Sequence, residues 1–146
     1  VFVIFLIDRL SKIIIINLAA PIDELNISIT SFLDLNLIWN DGVAFGLFSF
    51  DENLFYNSLT IIIFIIILII VWLMLRSKNL EKLCFSMIIG GAVGNLFDRI
   101  YYSAVPDFID FHINNFHWFI FNVADIFISL GVILLIMLEI SSRKKL

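Results

Sequence analysis

The sequence predicts an all-α membrane protein with four transmembrane helices and a small β-hairpin or sheet in its first outer loop. Three observations predict it: an apolar excess, four stretches of bilayer-crossing length, and a separation of charge between two faces. Of the 146 residues, 62% are hydrophobic and 15% charged. A soluble domain is closer to half apolar and a quarter charged. Too little polar surface is left to cover a water-soluble globule, and lipid is the natural solvent for the excess. The length suits one domain, read as residues 1–146.

A helix needs ~20 mostly apolar residues to cross the hydrocarbon. The first such stretch is about 1–20, interrupted by Asp8, Arg9 and Lys12. Those charges argue against a simple signal-peptide core. Val1 already lies inside the apolar run, so residues upstream of it are expected. The second stretch, about 54–75, carries no charge. The third, about 83–100, ends on Asp98 and Arg99. The fourth, about 118–140, contains Asp125 and Glu139.

Six of the nine Lys and Arg are Arg76, Lys78, Lys82, Arg143, Lys144 and Lys145, in the loop after span two and in the C-terminal tail. With four spans these segments share a side with the N-terminus, and the positive-inside rule makes that side cytoplasmic. The opposite loop, about 21–53, holds six acidic residues and no basic one. The net charge of −4 averages these two faces and implies no nucleic-acid partner. In the outer loop Leu33, Leu35 and Leu37 alternate with Asp34 and Asn36, a strand period. Asn40-Asp41-Gly42 is a turn signal, and Val43–Phe50 is apolar again, so a hairpin is expected there. Cys84, the single cysteine, excludes an internal disulfide and reads as a small apolar helix residue.

Ionisable groups in or near membrane spans are costly and are functional candidates by default. Asp8, Asp98, Arg99, Asp107 and Asp125 stand at the outer half, and Lys12 lies one helical turn from Asp8. Asp98 beside Arg99 reads as a neutralised pair. Asp107 and Asp125 are 18 residues apart across a loop and the top of a helix, so the chain can fold back and bring both carboxyls to one depth. Two close carboxyls in a poorly hydrated site share a proton. Such a pair can take a proton from water and give one to a leaving amine. Separate ion pairs, or a proton or ion path in a small carrier, would also place carboxylates there. A non-catalytic scaffold is a third possibility. His112 and His117 lack the helical spacing of a zinc protease, no metal set or cofactor is indicated, and the two read as interface packing.

Five segments in order resemble the bacterial lipoprotein signal peptidases (type II signal peptidases). They are Asp8-Arg9-Leu10-Ser11-Lys12, Asn40-Asp41-Gly42-Val43-Ala44-Phe45, Gly94-Asn95-Leu96-Phe97-Asp98-Arg99, Val105-Pro106-Asp107-Phe108, and Phe121-Asn122-Val123-Ala124-Asp125. Arg9 replaces a usual glutamine, and Pro106 a usual valine or isoleucine. The resemblance implies an aspartyl protease of the bacterial cytoplasmic (inner) membrane with Asp107 and Asp125 as its catalytic pair. It implies a diacylglyceryl-modified prolipoprotein as substrate, cut just before the lipidated cysteine, membrane lipids as surroundings, no cofactor, and inhibition by the cyclic peptide globomycin. Asn40, Gly42, Asn95, Asp98, Arg99, Asn122, Asp8 and Lys12 are then substrate-binding or site-supporting residues. Asp110, three residues beyond Asp107, is the nearest competitor and falls outside the pair by the motif alone.

Overall fold

The computed structural model describes residues 1–20, 25–42, 52–114 and 116–143. Helix α1 (Phe2–Ala19) is followed by strands β1 (Asn26–Thr30) and β2 (Leu33–Asn40), then by helices α2 (Glu52–Arg76) and α3 (Asn79–Tyr102). Strands β3 (Val105–Ile113) and β4 (Phe116–Phe121) lead into helix α4 (Val123–Arg143). The four strands form one antiparallel sheet in the order β1-β2-β3-β4.

The protein is therefore mostly helical but not all-α. The segment 116–121 is a strand, so the fourth apolar stretch divides at Asn122 and its helix starts at Val123 rather than near Trp118. Hydropathy alone could not separate them, because Trp118, Phe119, Ile120 and Phe121 are apolar in either conformation and aromatic residues suit a pleated surface. The alternation at Leu33–Leu37 does mark a strand, but its hairpin partner is the upstream β1, with Asn26 opposite Asn36 and Ile27 opposite Leu35. The segment expected to pair with it, Val43–Phe50, lies outside the described residues.

Among the described residues, three helices are long and apolar enough to cross a bilayer: Tyr56–Arg76, Asn79–Tyr102 and Val123–Ser142. Helix α1 is not among them, because it carries Asp8, Arg9 and Lys12. Its polarity is inverted: those three side chains are buried, while Phe2, Val3, Leu6, Leu10 and Ile14 are exposed. Helix α3 is the hub and packs on α1, α2 and α4. Gly94 lets α1 come this close, since a methyl group there would collide with the Asp8 carboxylate.

Where the helices meet the sheet, Ile15, Ala19, Leu25 and Phe108 form a buried apolar cluster, with Leu35, Leu37, Ile109 and Val123 against it. This cluster seats β3 on the end of α1. Ser103, in the left-handed region at φ 58°, ends α3 and turns the chain into β3. The β3–β4 hairpin then brings Phe121 opposite Ile109, which returns Asn122 to the neighbourhood of Asp107.

Candidate active site

The deepest polar layer joins α1 to α3. The Arg9 guanidinium donates to both oxygens of Asp98, at 2.5 and 2.7 Å, to Asp8 at 2.8 Å and to the Gly94 carbonyl at 3.3 Å. Lys12 Nζ has three neighbouring acceptors: Asp98 at 2.6 Å, Asp8 at 3.0 Å and Asn95 Oδ1 at 2.8 Å. Asp8 also accepts the backbone N–H of Ala124 at 3.1 Å, in the first turn of α4. Two cations and two carboxylates thus form a buried quartet with no net formal charge. The pairing differs from the sequence expectation. Asp98 is held by Arg9 and Lys12, while Arg99 stands 5.7 Å from the Tyr56 ring and close to Gly42. Among described residues, Arg99 Nη1 is a buried nitrogen with no hydrogen-bond partner. Arg9 supplies the two-pronged contact with Asp98.

The quartet reaches Asp125 through Asn95. Because Asn95 Oδ1 accepts from Lys12, its amide nitrogen faces away and donates to Asp125 Oδ1 at 2.7 Å. Asn122 and Asp125 cap the start of α4 reciprocally. The Asn122 backbone N–H donates to Asp125 Oδ2 at 3.1 Å, and the Asp125 backbone N–H donates to Asn122 Oδ1 at 3.2 Å. This is the logic of a capping box, in which a residue just before the helix and one three positions later satisfy each other's free N–H groups. The rest of the Asn122 amide donates to Asp107 Oδ1 at 2.5 Å. Asn122 therefore touches both aspartates.

Asp107 lies on β3 opposite Ile38 of β2. Its second oxygen accepts from Asn40 Nδ2 at 2.9 Å, while Asn40 Oδ1 accepts the Gly42 N–H at 2.8 Å. Gly42 has φ 80°, a left-handed conformation that glycine adopts without a Cβ penalty. Among the described residues, each of the four carboxylate oxygens of Asp107 and Asp125 thus accepts one hydrogen bond. Burial raises the Asp107 pKa above its usual value, the Asn40 and Asn122 amides pull it back, and the nearby Asp125 pushes it up again.

Asp110 points elsewhere. It is 1% exposed and shares a hydrogen bond with His117 Nδ1 at 2.8 Å, and its strand neighbour Asp34 lies 3.2 Å from His112 Nε2 without a hydrogen bond between them. The two histidine rings lie 5.2 Å apart, each beside a strand carboxylate. Sequence spacing gave no sign of this, because the arrangement depends on strand register. Among the described residues, no group of three or more His, Cys, Asp or Glu is arranged to hold a metal. The structure gathers Asn40, Gly42, Asn95, Asp98, Arg99, Asn122, Asp8 and Lys12 around or beneath the two aspartates by the contacts above.

The family model for signal peptidase (SPase) II matches residues 1–141. A lipoprotein signal peptidase of Pelagibacter ubique is 52% identical over 145 residues, covering 99% of this chain and 87% of that protein. One from Anaplasma phagocytophilum is 38% identical over 146 residues, with 99% and 91% covered. A solved bacterial membrane enzyme superposes with a TM-score of 0.79 at 27% identity, with 99% and 87% covered. The two-aspartate layer, the inverted helix α1 beneath it and this likeness lead to one conclusion: the chain belongs to the signal peptidase II family, proteases that cleave signal peptides.

Proposed function

We propose that the substrate is a prolipoprotein whose cysteine already carries diacylglyceryl, and that Asp107 and Asp125 cut the bond before that cysteine. The observation that carries this reading is Asn122, one side chain and backbone unit bonded to both carboxylates. The two groups share one proton, which belongs to the pair rather than to either residue. The ionised carboxylate takes a proton from water as it attacks the scissile carbonyl. The protonated one gives its proton to the carbonyl oxygen; the proton taken from water then passes to the leaving nitrogen, and as the C–N bond breaks a hydroxyl proton of the diol intermediate returns to the pair, which again holds one proton. The amide donors leave part of each carboxylate's acceptor capacity for water and substrate. Asn40 and Arg99, beside Gly42, are placed to meet the substrate backbone.

Helix α1 is the fourth span in this reading. Its apolar face looks outward, and its charges are paired with one another and with Asp98 of α3, while Asp8 also accepts the α4 backbone N–H of Ala124. Both termini and the α2–α3 loop lie in the cytoplasm of a bacterial inner membrane, and the sheet and dyad lie at the outer face, as the basic residues direct. A globomycin-type cyclic peptide would compete for the same site.

The substrate class is tested with purified protein and one prolipoprotein in two forms, with and without diacylglyceryl on its cysteine. Cleavage of the lipidated form alone is expected. Equal cleavage of the two forms would remove the lipid from the reading.

A further inference from the structure

Helix α2 reaches the site through Tyr56, which lies outside the five family-like segments. Its hydroxyl and its ring both engage Arg99. The hydroxyl donates to the Arg99 backbone carbonyl at 3.0 Å, and the ring centre lies 5.7 Å from the Arg99 guanidinium. Arg99 is among the last four residues of α3, whose carbonyls have no partner within the helix, so the hydroxyl meets a group that needs a donor. Leu59 follows Tyr56 at spacing i, i+3, on the same face of α2. A Cβ on Gly42 would lie 2.9 Å from Arg99 Nη1, 3.2 Å from Arg99 Nη2 and 3.0 Å from the Leu59 side chain. One face of α2 thus holds Arg99 against the turn that follows β2.

That turn is tied to the dyad. The Gly42 N–H donates to Asn40, and the Asn40 amide donates to Asp107. At the same spot Arg99 Nη1 is a buried donor with no hydrogen-bond partner among the described residues. Buried donors are almost always satisfied, so one left open here suits an acceptor that arrives with the substrate. An arginine side chain has many rotamers, and fixing one of them costs entropy. An aromatic face on one side and a glycine on the other fix it before the substrate binds. We infer that Tyr56 is a positioning residue: it holds the Arg99 guanidinium beside Gly42 so that Nη1 is ready for a carbonyl of the bound prolipoprotein, an inference that rests on the substrate reading proposed above. A tyrosine at the end of a span also suits the membrane interface by itself. That role would not pass through Arg99, and the two are separable by experiment.

The test is a double-mutant cycle on cleavage of one diacylglyceryl prolipoprotein by purified protein, with thermal unfolding of each variant. Tyr56→Leu removes hydroxyl and ring, and KM should rise about fivefold, the scale of a cation–π contact. The loss should lie in KM with kcat nearly unchanged, because the contact forms when substrate binds and persists through the reaction. Tyr56→Phe keeps the ring and loses one neutral hydrogen bond, so KM should rise about threefold. In an Arg99→Ala background neither Tyr56 substitution should raise KM further. An equal Tyr56→Leu effect in both backgrounds overturns the inference and leaves the peptidase reading intact, as does an unchanged KM or a loss confined to kcat. Should Tyr56→Leu not fold, Tyr56→Phe in the two backgrounds decides by the same criterion. Should Arg99→Ala cut too slowly to assay, the cycle is read from binding of the uncut substrate to protein carrying Asp125→Asn. If the wild type does not cut the prolipoprotein, the substrate reading itself fails and this inference falls with it.

Discussion

Three asparagines surround the two aspartates, and each has its carbonyl end occupied by a donor. Lys12 holds the oxygen of Asn95, the Asp125 N–H holds that of Asn122, and the Gly42 N–H holds that of Asn40. Their NH2 groups then have one direction left, toward a carboxylate. Orientation at the site is thus set from outside it. Asn40 supports the charged form of Asp107 against burial, so removing it should push the Asp107 pKa further up. In Asn40→Ala the alkaline limb of the kcat/KM profile should move to higher pH by about one to two units, since a hydrogen bond to a charged group is worth ~1.5–3 kcal/mol and a pH unit is ~1.4 kcal/mol. A limb that moves to lower pH would contradict this role. The quartet beneath is equally specific. Asp98→Asn would leave Arg9 and Lys12 with Asp8 as the only carboxylate of the quartet, and losing one partner of a buried ion pair costs about 3–5 kcal/mol. A clear fall in the unfolding temperature in detergent is expected, and an unchanged value would mean that the quartet contributes little.

Elements divide the work. Helix α1 brings the cations, α3 brings Asn95 and Asp98, β2 and β3 bring Asn40 and Asp107, and the start of α4 brings Asn122 and Asp125. The long helices were legible in the sequence because apolar runs of 20 residues have few other uses. The site residues were nominated because charges in such surroundings need a reason, and the family-like segments picked out the same positions. Arg9 and Asp98 were not legible as partners, since they are 89 residues apart and Arg99 stood next to Asp98 as the obvious choice. The β3–β4 hairpin was also missed. Its aromatic strand merges with the apolar start of α4, and only Asn122, an N-cap residue type followed three positions later by Asp125, marks the boundary. The histidine–carboxylate contacts of the sheet depend on that hairpin's register and were hidden with it.

At the scale of the molecule, the helices form a frame with a largely apolar outer surface around the buried ionic quartet of Asp8, Arg9, Lys12 and Asp98. The arrangement places a carboxylate pair where strands and helices meet, beneath a sheet and above a neutral ionic layer. A pair in that position can run acid and base steps with little bulk water, whereas either carboxyl alone lacks one of the two protonation states that the reaction needs. The central claim is that Asp107 and Asp125 act as one unit. Its most direct test is cleavage of a diacylglyceryl prolipoprotein by wild type, Asp107→Asn, Asp125→Asn and the double variant, with folding checked by thermal unfolding of each. Asparagine keeps the shape of aspartate but cannot exchange the proton. Both single variants should be folded and inactive, the double variant no worse than either single one, and Asp110→Asn, whose side chain faces His117, should retain measurable activity. Full activity in either single variant would contradict the account.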